Sequence, residues 1–327
     1  MTVSYDNLKN EFKRILLKLA FSEERAEICA RIFAENSRDG VYSHGINRFP
    51  VFVNYVNQGL IDIAAEPKLL EQNGSIEKWD GQLGPGMYNA MRAMDRAISI
   101  AKNNGIGCVV LKNTNHWMRG GNYGWQAADA GCIGICFSNT IANMPPWGGK
   151  EPRLGNNPLV IAVPRKEGHV VLDMAMTQFS YGKLQEYDLK KQMLPVPGGY
   201  DVDGNLTTDP AAIIKSQRAL PVGFWKGSGL SFMLDVLLAA LSEGRSTAQI
   251  TNSGHETGLS QFFLCLYQHS YSSLLIEEII HYSKSGMLAE STGSVLYPGE
   301  KTLATRQKNM KDGIPVNEKI WSALLKM

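Results

Sequence analysis

Ser43-His44-Gly45-Ile46-Asn47-Arg48 sets an imidazole and a guanidinium four residues apart where a helix is expected to begin, so both groups point the same way. Arginine offers a planar fork that takes a carboxylate through two hydrogen bonds, and histidine titrates near neutrality. The pair suits a small acid substrate that gains or loses a proton. The hexapeptide alone leaves a plainer reading open, a satisfied histidine beside a surface arginine.

Three further stretches carry chemistry-bearing types. His116-Trp117-Met118-Arg119-Gly120-Gly121-Asn122-Tyr123-Gly124-Trp125 combines an imidazole with aromatics and glycines. Glycine would let a ligand approach the backbone, and the aromatics would give flat apolar walls; a structural turn is the alternative. Met144-Pro145-Pro146-Trp147-Gly148-Gly149 reads as a surface loop, or else as a lid. Trp117, Met118 and Trp147 are bulky enough to shape a substrate pocket. Gly223-Phe224-Trp225-Lys226-Gly227-Ser228-Gly229 runs into an apolar helix over 230–241, and glycines, a lysine and free N–H groups at a helix start favour phosphate. Neither the Gly-x-Gly-x-x-Gly fingerprint after a strand nor a P-loop is present. Asp201-Val202-Asp203-Gly204-Asn205 resembles part of a calcium loop but lacks the later glutamate, so it reads as a turn and no metal is assigned.

These residues need a scaffold. Leu8, Phe12, Ile15, Leu16 and Leu19 form a helical stripe, and Ser22 N-caps a second helix bearing Ala26, Cys29, Ala30 and Phe33 that Asp39-Gly40 ends. His44 then falls in a loop before a third helix that buries Phe49, Phe52, Val53 and Val56 and stops at Gly59. A helix over 87–103 leads to a strand over 106–111, and strands follow over 132–137, 159–163, 170–174 and 261–267. Helices over 272–284, after Pro298-Gly299, and over 316–325 close the chain. The alternation is too irregular for a purely parallel sheet, so the fold class is α/β of the mixed α+β kind. Helices from the two termini are expected to share one layer.

The whole chain bounds the partners. Its 327 residues, 44% hydrophobic and 20% charged, can bury a sizeable core in two or three structural units. A formal net charge of +2, with scattered Lys and Arg, argues against nucleic acid or an anionic membrane as partner. No apolar signal core opens the chain and no apolar run approaches the ~20 residues that span a bilayer, so a cytoplasmic location is expected. Cys29, Cys108, Cys132, Cys136 and Cys265 lie in apolar surroundings without a Cys-x-x-Cys pair and read as reduced, buried thiols.

Ser43-His44-Gly45 with Arg48, Asn115-His116, Gly155-Asn156-Asn157-Pro158, Asp173, Gly182-Lys183, Leu220-Pro221-Val222-Gly223 with Lys226-Gly227, Asp235 and Pro298-Gly299-Glu300 fall in one order along nearly the whole chain. In that order they resemble the malate/L-lactate dehydrogenase family that is unrelated to the Rossmann-type enzymes. The resemblance implies a homodimeric, NADH-dependent reductase of a 2-oxo acid, with NADPH as the other candidate cofactor. It implies a non-Rossmann nicotinamide-binding sheet domain, residues 61–298 with a smaller subdomain, and a helical domain from residues 1–60 with 299–327. By position it makes His44 the proton donor, Arg48 the carboxylate holder and His116 a substrate or cofactor contact. The cofactor would lie along His169, Val170, Val171, Leu172, Asp173, Met174 and Ala175, and against Trp225-Lys226 and Gly299-Glu300-Lys301. Lys301 and Asn156 depart from the family pattern, and residues 251–294 match it least. Two readings from other classes stay open here: a non-catalytic dinucleotide or sugar-acid sensor, and a metal-dependent hydrolase using His44, His116 and a carboxylate.

Overall fold

The computed structural model describes residues 1–288 and 293–327; residues 289–292, within the stretch that resembles the family least, lie outside the description. The chain opens with β1 (Thr2–Val3) and the helices α1 (Tyr5–Lys18), α2 (Glu23–Arg38) and α3 (Phe49–Asn57). The Ser4 and Ser22 hydroxyls accept from the backbone N–H groups of Asn7 and Arg25, each satisfying a donor that the first helical turn leaves free. Between α2 and α3 the chain makes one 3-10 turn, Tyr42–His44, which brings His44 out of the helical layer.

Next come the hairpin β2 (Lys68–Asn73) and β3 (Ile76–Asp80), then α4 (Gly86–Asn104), β4 (Ile106–Asn115), α5 (Gly121–Asp129), β5 (Ile133–Ser138), β6 (Leu159–Val163) and β7 (Val170–Met174). A smaller region follows: α6 (Tyr181–Leu189), the short pair β8 (Gly199–Tyr200) and β9 (Leu206–Thr207), and α7 (Pro210–Ser216). The long helix α8 (Trp225–Ser242), α9 (Thr247–Asn252), β10 (Thr257–Leu266), α10 (Ser273–Lys284), α11 (Glu300–Asp312), β11 (Ile314–Pro315) and α12 (Glu318–Leu324) complete it.

Seven strands make the main sheet in the order β2-β3-β4-β10-β5-β6-β7. Only β3 and β4 run parallel; β10, drawn from far along the chain, is antiparallel to both β4 and β5 and becomes the central strand. This is the mixed sheet that the irregular alternation predicts. Helices α4 and α5 bury Ala93, Met94, Ala97, Ala127 and Ala128 with the sheet residues Val109, Leu111 and Phe263, in which the small alanines let helix and sheet approach closely.

Both termini join the helical layer. β1 pairs antiparallel with β11, and Ile314, Val316 and Leu324 share a core with Leu8, Phe12, Phe33 and Phe49. A buried charge network ties this layer to the sheet. Arg306 of α11 grips Asp39 through Nε and Nη2 at 2.9 and 2.8 Å, Arg38 donates to the same carboxylate at 2.8 Å, and Arg119 reaches it at 3.1 Å. Arg119 also donates to Asp173 of β7 at 2.7 Å. Gly121 is needed beside this pair, because a Cβ there would stand 2.4 Å from Asp173 Oδ2.

The stretch at 116–125 divides: His116, Met118, Arg119 and Gly120 line a cleft, whereas its aromatic residues pack inward. Trp117 and Tyr123 stack at 5.3 Å in the core against Phe263, and Gly120, Gly121 and Gly124 face protein atoms, so close helix packing explains the glycines. Trp117 therefore shapes no pocket. Met144 is buried, whereas Trp147 lies half-exposed against Phe224, on the outside. All five cysteines are free and buried.

Candidate active site

Rigid ends of elements carry the site. Arg48 precedes α3, where Pro50 is preorganised for the first turn. His116 follows directly on β4, and His44 stands on the 3-10 turn, whose exit is packed so tightly that a Cβ on Gly45 would lie 2.2 Å from Ser37 Oγ. The two imidazoles lie near-parallel, 5.7 Å between centroids.

Two clefts meet at this pair. One, about 520 Å³, runs between the helical layer and β7 and is lined by Val171, Leu172, Asp173, Ala175, Gly299 and Thr302 in addition to the histidines. The other, about 490 Å³, is lined by Arg48, Asn47, Asn143, Tyr181, Gln185 and Gln217. Ser43, His44, His116, Asn156 and Ser180 belong to both. Gly299 and Thr302 bring the start of α11 to the first cleft, and the N-terminal turn of that helix carries no side-chain cap. Free N–H groups and the helix dipole there suit a phosphate. The second is lined by amide and hydroxyl groups that can serve a polar small molecule.

Electrostatics departs from what the sequence suggests. Burial first, then the neighbouring His116 and Arg48, push the pKa of His44 down to about 3 despite the opposing pull of Asp173. Burial and Arg48 push His116 down to about 3 as well. The expectation of an imidazole titrating near neutrality is thus corrected for the ligand-free protein: partial burial and the facing charge of Arg48 favour the neutral form of both rings. Ser43 Oγ lies 3.1 Å from His44 Nδ1. His116 Nδ1 accepts from the Met118 N–H at 2.9 Å, which leaves the proton of the neutral ring on Nε2.

The remaining expected positions divide. His169 turns away from the cleft: its Nε2 lies 2.9 Å from Asp129, and its Nδ1 accepts from the Arg165 N–H. Val170 faces a separate apolar groove with Ile276 and Ile280, and Met174 packs with Phe137 and Leu234 under α8. Glu300 accepts from Tyr297 N and Lys284, and Lys301 is exposed. Trp225 and Lys226 start α8 with the tryptophan 63% exposed, and neither lines the two clefts. The Asp201 carboxylate accepts from the N–H groups of Asp203 and Asn205, which closes a turn. Among the described residues no three His, Cys, Asp or Glu side chains converge on a metal position. Sequence reasoning missed Glu256, whose carboxylate lies 3.3 Å from Arg48 Nη2. A lone glutamate before a strand gives no local signal.

Fold and site now stand beside known proteins. The malate/L-lactate dehydrogenase family profile matches residues 3–325, and the chain belongs to that family; it is an oxidoreductase of the kind that interconverts 2-hydroxy and 2-oxo acids. Among its relatives, the 2,3-diketo-L-gulonate reductases of Escherichia coli O127:H6 and Citrobacter koseri are each 43% identical over 330 residues, 99% of both chains. Solved structures agree in fold. Malate dehydrogenase from Entamoeba histolytica superposes with a TM-score of 0.93 at 26% identity, and sulfolactate dehydrogenase from Methanocaldococcus jannaschii with 0.90 at 30%; each comparison covers 100% of this chain and 96% of the other.

Proposed function

We propose that the protein reduces a polyhydroxylated 2-oxo acid, 2,3-diketo-L-gulonate by similarity to its relatives, at the expense of NADH and with His44 as the proton donor. The observation that carries this reading is the meeting of two clefts at His44 and His116, one lined by β7 and the start of α11 and one lined by amides with Arg48 on its wall. Support for a six-carbon polyol over a pyruvate-sized acid comes from Asn47, Asn143, Gln185 and Gln217, which can bond hydroxyls along a chain. Val171, Leu172, Asp173 and Ala175, with the start of α11, would hold the reduced dinucleotide, which when bound would supply the hydride. NADH is favoured over NADPH because Arg119, the only lysine or arginine among the described residues lining that cleft, is engaged by Asp39 and Asp173 and is not free for a second phosphate.

The chain's own groups do the rest. Arg48 fixes the substrate carboxylate and so the face presented, and orientation of this kind contributes several kcal/mol. Negative charge that builds on the carbonyl oxygen is met by a proton from His44. An arriving carboxylate offsets the charge of Arg48, one of the causes that depress the His44 pKa. Formation of the complex with the acid should therefore take up a proton, and kcat for reduction should fall as pH rises through the His44 pKa of that complex. Indicator-dye measurement of proton uptake in weak buffer, beside a pH profile of kcat, checks both; a reductive kcat that rises with pH refutes the donor role.

Loss of reduced-nicotinamide absorbance across a panel of 2-oxo acids tests the reading as a whole. Turnover of diketogulonate ahead of pyruvate is expected, and no turnover with any acid favours the sensor. Arg48→Lys keeps the charge but loses the fork, so KM for the acid should rise roughly 10-fold or more while kcat changes less.

The same reading includes a homodimer. Outward residues of α8, among them Phe232, Met233, Val236 and Leu237, leave a broad apolar face exposed, larger in kind than scattered surface hydrophobics. Light scattering should give twice the chain mass, and Phe232→Lys with Val236→Lys should give monomer. The division into a helical unit of residues 1–60 with 299–327 and a sheet unit of 61–298 rests on the core shared by the two termini.

A further inference from the structure

The Arg48–Glu256 contact differs from the two-point arginine pairs of this protein. Arg96 grips Glu77, and Arg306 grips Asp39, through Nε and Nη2 together, at 2.5 to 3.0 Å and at 2.8 to 2.9 Å. Arg165 holds Glu277 through the same two nitrogens. A guanidinium paired in this way has one edge fully taken by its partner. Arg48 gives Glu256 a single nitrogen, Nη2, at a longer 3.3 Å. Both side chains line the 490 Å³ cleft, and both also line a small cavity behind it formed with Val51, Phe52 and Tyr55.

The backbone holds this arrangement firmly. Glu256 immediately precedes β10, the central strand, and the register sets Thr257 opposite Asn115 of β4. Glu256 and His116 therefore extend side by side from the ends of two paired strands, with Arg48 facing them from the helical layer. A carboxylate so poorly solvated would be costly alone, and Arg48 is its compensating charge.

We propose that Glu256 is a positioning residue for the substrate: it holds one terminal nitrogen of Arg48 and turns the unused edge of the guanidinium toward the carboxylate of the incoming 2-oxo acid. The inference rests on the reductase reading above. Without Glu256, Arg48 keeps its charge but samples other rotamers, so the two-point grip on the acid must be assembled at binding.

Steady-state kinetics with a 2-oxo acid and its uncharged 2-oxo carboxamide test this in the parent protein and in Glu256→Ala, Glu256→Gln and Glu256→Asp, each checked for folding by thermal melting and for NADH affinity by fluorescence. Glu256→Ala should raise KM for the acid roughly 10- to 100-fold, the range for loss of a hydrogen bond to a charged group, with a smaller change in kcat. KM for the carboxamide should move little, and Glu256→Asp should recover part of the loss. An unchanged or lowered KM for the acid, or equal shifts for acid and carboxamide, overturns the proposal. If the parent turns over no acid, the reductase reading fails by itself. Binding of oxamate to the NADH-loaded protein then decides the pair: weaker binding in Glu256→Ala supports the proposal, and equal binding overturns it.

Discussion

A His44→Gln protein is expected to bind NADH nearly as the parent does and to reduce its 2-oxo acid roughly 10²- to 10⁴-fold more slowly, the usual span for loss of a general acid. Glutamine keeps hydrogen-bonding bulk on the 3-10 turn but cannot deliver a proton to the oxygen that receives negative charge. The depressed pKa of His44 makes this loss instructive. Burial and nearby charge favour the neutral ring in the ligand-free protein, so a donor at His44 would take up its proton as the ternary complex forms; the variant should then show less proton uptake and lose the parent's fall of kcat with rising pH. Single-turnover kinetics with cofactor affinity measured separately checks the assignment. A kcat within a few-fold of the parent's would remove His44 from the chemistry and leave His116, 5.7 Å away and also on the shared wall, as the donor to examine.

The second large effect concerns stability. Asp39 is 2% exposed in its side chain and receives Arg38, Arg119 and Arg306, the last of which also lies over the Trp125 ring at 4.5 Å. Asp39→Asn preserves shape and removes the one charge that three guanidinium groups share. Breaking a buried pair from one side costs about 3–5 kcal/mol, because the partner charge stays buried without compensation. Urea denaturation should show a loss of that order, and a loss below about 1 kcal/mol would place the network among ordinary surface pairs.

The same carboxylate gives a pH signature. Burial pushes the Asp39 pKa up, but hydrogen bonds from Arg306 and Arg38 and the charge of Arg119 outweigh it and hold the group below its usual 3.8. A carboxyl whose folded pKa lies below the unfolded one stabilises fully above the unfolded value, and that stabilisation is lost as pH falls through the folded value. The stability gap between parent and Asp39→Asn should thus be constant from pH 5 to pH 7 and shrink below about pH 4.

The Asp39 network also shows where local reading stops. Asp39-Gly40 is legible as the end of α2, and Gly40 does take a positive φ of 83° there. That the same aspartate would collect arginines from positions 119 and 306 is not legible, because neither neighbour shares its element. Glu256 is the sharper case: it meets Arg48 across 208 positions, and its own surroundings in the chain carry no period or motif. Trp117 and Tyr123 teach the converse, since aromatic and glycine composition reads the same for a ligand wall and for a tightly packed core.

Local forces were enough to write much of the scaffold into the sequence. Stripes of apolar residues, serine caps and glycine stops fix α1 to α4, and apolar runs bounded by turns fix β4 to β7, because each depends on neighbours a few residues away. The residue types at 44 and 48 likewise named the two groups on which the reductase reading rests, although His44 stands on a 3-10 turn and Arg48 caps α3, so the shared helix start that their spacing suggests does not form. The tertiary structure decided the rest: which strand enters the centre of the sheet, how two clefts meet at a pair of histidines, and which carboxylates face which arginines. It also moved the titration of His44 away from neutrality, through burial and the charges that face it. Solvation and Coulomb forces depend on distance in space and on the exclusion of water, and a chain read in order contains neither until it has folded.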